Sequence, residues 1–272
     1  LPKHMKILDL CSGTGCIPLL AHHEFTNKHN RKPRDLEIVG VDISPPAINL
    51  ANKNLQRLVD EGTLSSDPNL QFLQADILAS KDDKAGGGAM SLDVVLEQRT
   101  STSAIPENSD WDILISNPPY ISPAAFAHTT TRSVKRYEPR LALVPTPPTP
   151  LLDSDHGDLF YPRLLSIAAD LSTRVVLFEV ADLAQAERVA EMARKQGIWD
   201  GIEIWRDDPE GNGSKGDEPQ GCSDGMAEET AGNGGMVEEM VMDGSVKILG
   251  AGNGRSVVAY RGQGKQWLRA DV

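Results

Sequence analysis

The chain has 272 residues, a formal net charge of −12 and 39% hydrophobic residues, enough for one sizeable α/β domain with a buried core. No apolar run approaches the length needed to span a bilayer. Its three cysteines, Cys11, Cys16 and Cys222, form no CxxC pair, so neither a disulfide framework nor a zinc site is suggested and a reducing compartment is the default.

The opening LPKHMKILDL runs straight into a short apolar strand, KILDL over 6–10. No signal peptide fits that pattern, and further residues are expected upstream of so abrupt a start. CIPLLAHHEF (16–25) has the length of a first helix, and EIVGVDI (37–43) is a second strand rich in β-branched residues. PAINLANKNLQRLVDEG (46–62) reads as an amphipathic helix ending at Gly62. LQFLQADIL (70–78) and WDILISN (111–117) are the third and fourth strands. DLFYPRLLSIAADLS (158–172) is a helix broken or started near Pro162, and RVVLFEV (174–180) is a fifth strand. DLAQAERVAEMARKQG (182–197) is a helix closed by Gly197, and IEIWRD (202–207) and RSVVAYR (255–261) are two more strands. Strands alternating with helices predict a mostly parallel sheet covered on both faces.

Three stretches break this rhythm and are expected to be loops or disordered insertions in one domain spanning 1–272: about 79–109, 145–156 with its PTPPTP, and 208–244. The last explains the charge. Eleven acidic residues and one basic residue, Lys215, lie between Asp207 and Gly244, so the rest of the chain carries only about −2. There is no basic stripe of the kind that marks a nucleic-acid partner.

Gly13 and Gly15, in LDLCSGTGC (8–16), fall between the first strand and the first helix. Without Cβ atoms the backbone there can turn tightly and let a ligand approach, although a glycine pair alone also suits a turn that binds nothing. A dinucleotide fingerprint would place a third glycine at the position held by Pro18, so a different adenosyl ligand is favoured. Asp42 ends the second strand. An acid there can accept from both hydroxyls of a ribose, or can equally serve as a favourable charge ahead of the helix that starts near Pro45. Asp76 ends the third strand, and carboxyl ends of successive strands are where open α/β sheets bind ligands.

The fourth strand ends in Asn117-Pro118-Pro119-Tyr120. Two prolines fix two φ angles and remove two backbone donors, which makes the turn stiff. Stiffness is useful for methylating an amide or amino nitrogen, whose delocalised lone pair is a weak nucleophile. The Asn117 side-chain oxygen can accept one N–H and the Pro118 carbonyl the other, while Tyr120 can pack on the flat face. A sulfonium donor is already activated, so catalysis becomes mainly positioning, worth about 7–11 kcal/mol in favourable systems.

LDLCSGTGC, VDIS, ADIL and NPPYIS together resemble the class I AdoMet-dependent methyltransferases that act on planar NH₂ groups. VKRYEPRLAL (134–143), HGDLFYPRLL (156–165), LFEVADLAQAERV (177–189) and the terminal RSVVAYRG are similar, in the same order, to the HemK/PrmC-type release factor glutamine methyltransferases. The wording LDLCSGTGC looks closest to the fungal mitochondrial branch. The resemblance implies a Rossmann-like, doubly wound, mostly parallel seven-stranded sheet. It further implies methyl transfer from S-adenosylmethionine, without a metal and leaving S-adenosylhomocysteine, to the glutamine of a release factor's GGQ loop. A mitochondrial location and no membrane or nucleic-acid partner would follow. By matching position, Asp9, Cys11, Ser12, Gly13, Thr14, Gly15, Asp42, Ile43, Asp76 and Ile77 would hold the cofactor beside Asn117. Asn117, Pro118, Pro119 and Tyr120 would hold the substrate glutamine. The family's N-terminal helical domain and its RPETE-like linker do not occur in this chain.

Other features carry less. His22 and His23 are adjacent and point to different helix faces, which argues against a metal pair. Cys11 and Cys16 suit small packing residues, and Glu138 and Arg140 are expected to anchor the loop behind NPPY. The competing readings are an N6-adenine or N4-cytosine nucleic-acid methyltransferase, which uses the same NPPY logic on a flipped base, and a binding subunit that keeps the fold without turnover.

Overall fold

Apolar residues at successive positions of the first strand must be covered on both sides, and that requirement organises the molecule. The computed structural model describes residues 2–27, 35–65, 68–80, 88–102, 110–145, 157–208, 240–242 and 246–268. In strand β1 (His4–Leu10), Met5 and Ile7 join one core cluster, while Leu8 and Leu10 join another. The first cluster includes Leu19 of α1 (Cys16–Asn27) and Ile48 and Ala51 of α2 (Pro45–Asp60). The second takes in Tyr161, Leu164 and Ile167 of α6 (Phe160–Asp170) and Ala186, Val189 and Ala193 of α7 (Leu183–Gln196). Burial of these side chains on both faces, at roughly 1.5–3 kcal/mol for each Leu, Ile, Val or Met and less for the alanines, fixes a three-layer α/β architecture.

The remaining elements are β2 (Asp35–Asp42), β3 (Leu70–Gln74), α3 (Leu92–Thr102), β4 (Ile113–Ser116), α4 (Pro123–His128), α5 (Arg132–Tyr137), β5 (Val175–Glu179), β6 (Gly201–Asp208), β7 (Met240–Met242), β8 (Val246–Leu249), β9 (Ala251–Tyr260) and α8 (Gly264–Leu268). The sheet order is β3-β2-β1-β4-β5-β9-β6-β8-β7. β1 to β5 are mutually parallel, and β9 runs antiparallel between β5 and β6. Leu10 lies opposite Val41 on one side and Ser116 on the other, and Asp42 lies opposite Gln74. Cys11, Asp42, Ala75 and Asn117 therefore leave the sheet at one edge, side by side.

Helix ends follow the expected chemistry. Ser44 caps α2 by accepting from the Ala47 amide, with Pro45 in the first turn. Asp182 caps α7 by accepting from the Gln185 amide at 2.8 Å, and Gly197 ends it in the left-handed conformation. Pro162 sits in the first turn of α6, where a missing N–H costs nothing, so the helix starts there rather than breaking.

Two expectations need correction, and one stretch with no expected element holds two short helices. Among the described residues the sheet has nine strands, not seven: β8 pairs with β6 and β7 with β8 at the far edge, in runs of four and three residues too short to show a period. The 79–109 stretch is not simply a loop, because α3 lies within it with Leu92 and Val95 buried in the main core. Its Asp93 pairs with Arg163 at 3.0 Å and its Arg99 with Glu37 at 2.5 Å. α4 and α5 follow NPPY where no helix is expected, and neither has a buried residue. The PTPPTP run at 145–150 lies, apart from Pro145, outside the described residues, as does most of 208–244.

Candidate active site

At the exit of β1 the chain is bonded to its neighbour before it turns: the Ser12 amide donates to the Val41 carbonyl at 3.0 Å. The Gly15 amide closes the turn on the Ser12 carbonyl at 2.9 Å, and α1 begins with Leu19 bonded to the Gly15 carbonyl. Gly15 has φ +82°, and a Cβ there would stand 2.5 Å from the Phe72 ring, so β3 packs in the space the glycine leaves. Thr14 is steadied by Asn54 of α2, whose side-chain nitrogen donates to its carbonyl at 3.1 Å.

Asp42 ties this turn to the next one. Its Oδ2 accepts from the Gly13 amide and its Oδ1 from the Ser44 amide, both at 2.8 Å. Each carboxylate oxygen keeps a further lone pair, so a diol could still be bound in bidentate fashion. Ile43 follows, 41% exposed and apolar, where a flat ring could rest on it. Asp9 lies beneath, fully buried, and neither of its oxygens has a partner among the described residues. Burial, then the nearby charge of Asp42, holds its carboxyl well above the usual carboxylate range. The buried Ser12 hydroxyl is also without a partner among the described residues. Such orphans cost about 1–3 kcal/mol each unless something completes them. Unsatisfied polar groups under a glycine turn, beside a carboxylate with spare acceptors, fit a polar adenosyl ligand.

Cys11 stands at the centre of this cluster in a left-handed conformation, φ 62°, the kind of local strain found where a turn serves a site. Burial, then the charges of Asp42 and Asp9, pushes its thiol up, and Asp76 adds the least. Asp9 within β1, Asp42 at the end of β2 and Asp76 just beyond β3 thus all bear on one thiol, which is protonated and packed against the core rather than nucleophilic.

Asp76 is held by its own turn, with Oδ1 accepting from the Leu78 amide at 2.9 Å. Ile77 has its side chain in the core, away from the open edge. Its carbonyl accepts from Arg163 Nε at 2.9 Å, so α6 fixes the β3 exit.

The fourth exit is bound at both ends. Ser116 Oγ donates to the Leu10 carbonyl at 2.7 Å. Asn117 is exposed, and its side chain has no hydrogen bond among the described residues. Pro118 is buried and Pro119 half-buried. Tyr120 packs against the main core, and its hydroxyl donates to Glu179 Oε1 at 3.0 Å. Burial first, then the charge and hydrogen bond of Glu179, push the phenol up to about 12. The Tyr120 carbonyl accepts from Gln185 Nε2 at 3.3 Å. Gly157, at φ +83°, approaches the same carbonyl so closely that a Cβ would lie 2.0 Å from it.

Beyond the loop, Arg140 lies over the Phe126 ring at 5.2 Å, and Ile121 is tied to the Leu143 carbonyl at 2.9 Å. Arg140 is exposed and meets this segment through that ring contact. Glu138 does not anchor the loop: it is exposed and makes no side-chain hydrogen bond or ion pair among the described residues. Sequence reasoning also missed Glu179, Asp158, Gln185 and Arg163. All four lie in motifs already singled out, HGDLFYPRLL and LFEVADLAQAERV, where nothing local reveals that Glu179 and Gln185 meet Tyr120, that Asp158 meets Gln185, or that Arg163 meets the Ile77 carbonyl.

Comparison with known proteins bears on this geometry. Residues 1–110 match a family model described as a methyltransferase domain. The chain is 31% identical over 199 residues to a probable mitochondrial MRF1 N(5)-glutamine methyltransferase of Schizosaccharomyces pombe, covering 70% of this chain and 52% of the relative. The mitochondrial MRF1 N(5)-glutamine methyltransferase of Saccharomyces cerevisiae is 33% identical over 53% of this chain and 34% of its own length. A release factor glutamine methyltransferase of Haemophilus influenzae is 28% identical over 76% of this chain and 56% of its own length. The chain spans about half the length of the curated relatives it matches first. With its α/β sheet, its glycine turn and an NPPY loop at the same edge, the chain carries a methyltransferase domain and is homologous to release factor glutamine methyltransferases over about half of their length.

Proposed function

We propose that this chain transfers a methyl group from S-adenosylmethionine to the side-chain amide nitrogen of the glutamine in the GGQ loop of a peptide-chain release factor. The observation that carries the reading is the juxtaposition of an exposed, uncommitted Asn117 on a stiff proline turn with the Asp42–Gly13 cradle at one sheet edge. The cofactor, when bound, supplies a methyl group already activated on a sulfonium. Asp42 would accept from the ribose hydroxyls, Gly13 and Gly15 would admit the donor's tail, and Ile43 would flank its base. Asp9, Ser12, Thr14 and Asp76 would complete the polar lining. Cys11 and Ile77 would serve as packing beneath it.

Asn117 and the Pro118 carbonyl would then each accept one N–H of the glutamine amide. Two acceptors on one nitrogen orient its lone pair and favour the positive charge that builds as the N–C bond forms; the nitrogen afterwards sheds a proton. The work is positioning and electrostatics rather than strong base catalysis. The relatives in the two yeasts are named as mitochondrial enzymes acting on MRF1, which supports a mitochondrial release factor as substrate.

The test is transfer of labelled methyl from S-adenosylmethionine to a release-factor domain carrying GGQ, beside the same domain carrying GGA. Label on GGQ alone is expected. Equal label on GGA would remove the glutamine from the assignment. No label on either, with cofactor binding confirmed, would overturn the reading for this chain and send the search to DNA and RNA.

A further inference from the structure

Behind NPPY lies a buried polar cluster that the transfer chemistry itself does not use. Gln185, in the first turn of α7, is 1% exposed. Its Oε1 accepts from the Ala181 amide at 2.8 Å, which fixes which end of the side chain is which. Nε2 must then face acceptors, and it does: the Tyr120 carbonyl at 3.3 Å and Asp158 Oδ1 at 2.9 Å. Asp158 is in turn gripped by Arg188, with Nε at 2.6 Å from Oδ2 and Nη2 at 3.0 Å from Oδ1. The α7 backbone is capped separately by Asp182, so the Gln185 side chain is not needed to start the helix.

We infer that Gln185 is a positioning residue for methyl transfer, holding the carboxyl end of the Asn117–Tyr120 turn in register with the cofactor edge. The inference rests on the methyltransferase reading above. Ser116 pins one end of the turn to β1, while Gln185 and Glu179 pin the other. Between the pins stand two prolines with fixed φ, so a shift of the Tyr120 carbonyl is passed to Asn117 rather than absorbed. Small misplacements of a reacting group, of about 1 Å, can cost roughly 100-fold in rate. Buried polar groups must be paired, and an apolar side chain of similar size at 185 would take the side-chain partner from both the Tyr120 carbonyl and the Ala181 amide, and would leave Asp158 to Arg188 alone.

The test compares Gln185→Leu and Gln185→Glu with Val189→Ala, a buried substitution one turn further along α7. Leucine removes both polar ends, and glutamate keeps an acceptor but loses the donors. Both Gln185 variants are expected to lower kcat on a GGQ domain at least tenfold, with KM for that domain changed less than threefold and cofactor Kd less than twofold. Val189→Ala should lower the melting temperature yet leave kcat within twofold. Amide hydrogen exchange at Ile121, bonded to the Leu143 carbonyl just after the turn, should speed at least tenfold in the Gln185 variants and stay unchanged in Val189→Ala. Should the unaltered chain transfer no label to GGQ, the functional reading fails, and the exchange data alone decide whether Gln185 holds the turn. A kcat within twofold of the unaltered chain in either folded Gln185 variant, or unchanged Ile121 exchange, would overturn the inference.

Discussion

Asp42 and Asn117 stand at the same sheet edge but are built into it differently. Asp42 holds two backbone amides, whereas Asn117 is exposed and holds nothing among the described residues. Asn117→Ala should therefore leave the cradle intact and remove about 10²–10³ in kcat, the scale for losing one preorganised polar partner. Asp42→Ala should instead weaken S-adenosylmethionine binding by about 1.5–3 kcal/mol, the range for hydrogen bonds to a charged group. Calorimetric titration of both variants separates the roles, and equal loss of cofactor affinity in the two would refute the division. Gly157 offers a third residue-level test. Alanine there meets both a left-handed φ, roughly 1–2 kcal/mol, and the Tyr120 carbonyl. Its urea midpoint should fall well below that of the unaltered chain; an unchanged midpoint would mean that the 157–158 segment does not pack on the turn.

Between elements, the junction of the NPPY turn with β5 and α6 has a titratable signature. Tyr161 of α6 donates to the Glu179 carbonyl at 2.8 Å, and Tyr120 donates to the Glu179 carboxylate. Burial and Glu179 raise Tyr120 from its usual 10.0 to about 12, so the folded state keeps a proton that the unfolded chain loses first. This contribution to stability is complete below about pH 10 and is lost as pH climbs through about 12. Glu179→Gln removes the charge and leaves the burial, so Tyr120 should titrate lower while staying above its usual value. The difference in absorbance at 295 nm between chains with and without Tyr120→Phe reads this directly. No movement on Glu179→Gln would mean that the phenol and carboxylate do not meet.

The same junction shows what the sequence could and could not reveal. β1 to β5 and their covering helices are legible because their apolar periods are long enough to count and their ends carry Ser44, Asp182 and Gly197. α3 hides because it ends in Arg-Thr-Ser-Thr and has few buried side chains to mark it, its remaining support coming from Asp93–Arg163 and Arg99–Glu37. Asp42, Gly13 and Asn117 announce themselves through strand-end motifs. Glu179 and Gln185 do not, because they meet Tyr120 across 59 and 65 residues of chain, and only the folded sheet brings them together.

At the scale of the whole molecule, the cofactor edge is assembled from four strand exits that come from distant parts of the sequence, so a ligand that spans them should stabilise the fold as a unit. A ligand that binds only the native chain adds RT ln(1 + [L]/Kd), about 2.7 kcal/mol at one hundred times Kd. In domains of 150–250 residues, each kcal/mol shifts Tm by roughly 2–4 °C, and this slightly longer chain should respond similarly. Saturating S-adenosylmethionine should therefore raise the melting temperature by several degrees. Asn117→Ala should show nearly the full rise, because its side chain supports no other part of the cradle. Asp42→Ala, measured at the same cofactor concentration, should lose between about half and about nine-tenths of it, since binding weakened by about 1.5–3 kcal/mol lowers the ligand term from about 2.7 to roughly 0.3–1.3 kcal/mol. A full rise in Asp42→Ala would place the cofactor away from the Gly13–Asp42 cradle, and the roles argued for all four strand exits would have to move with it.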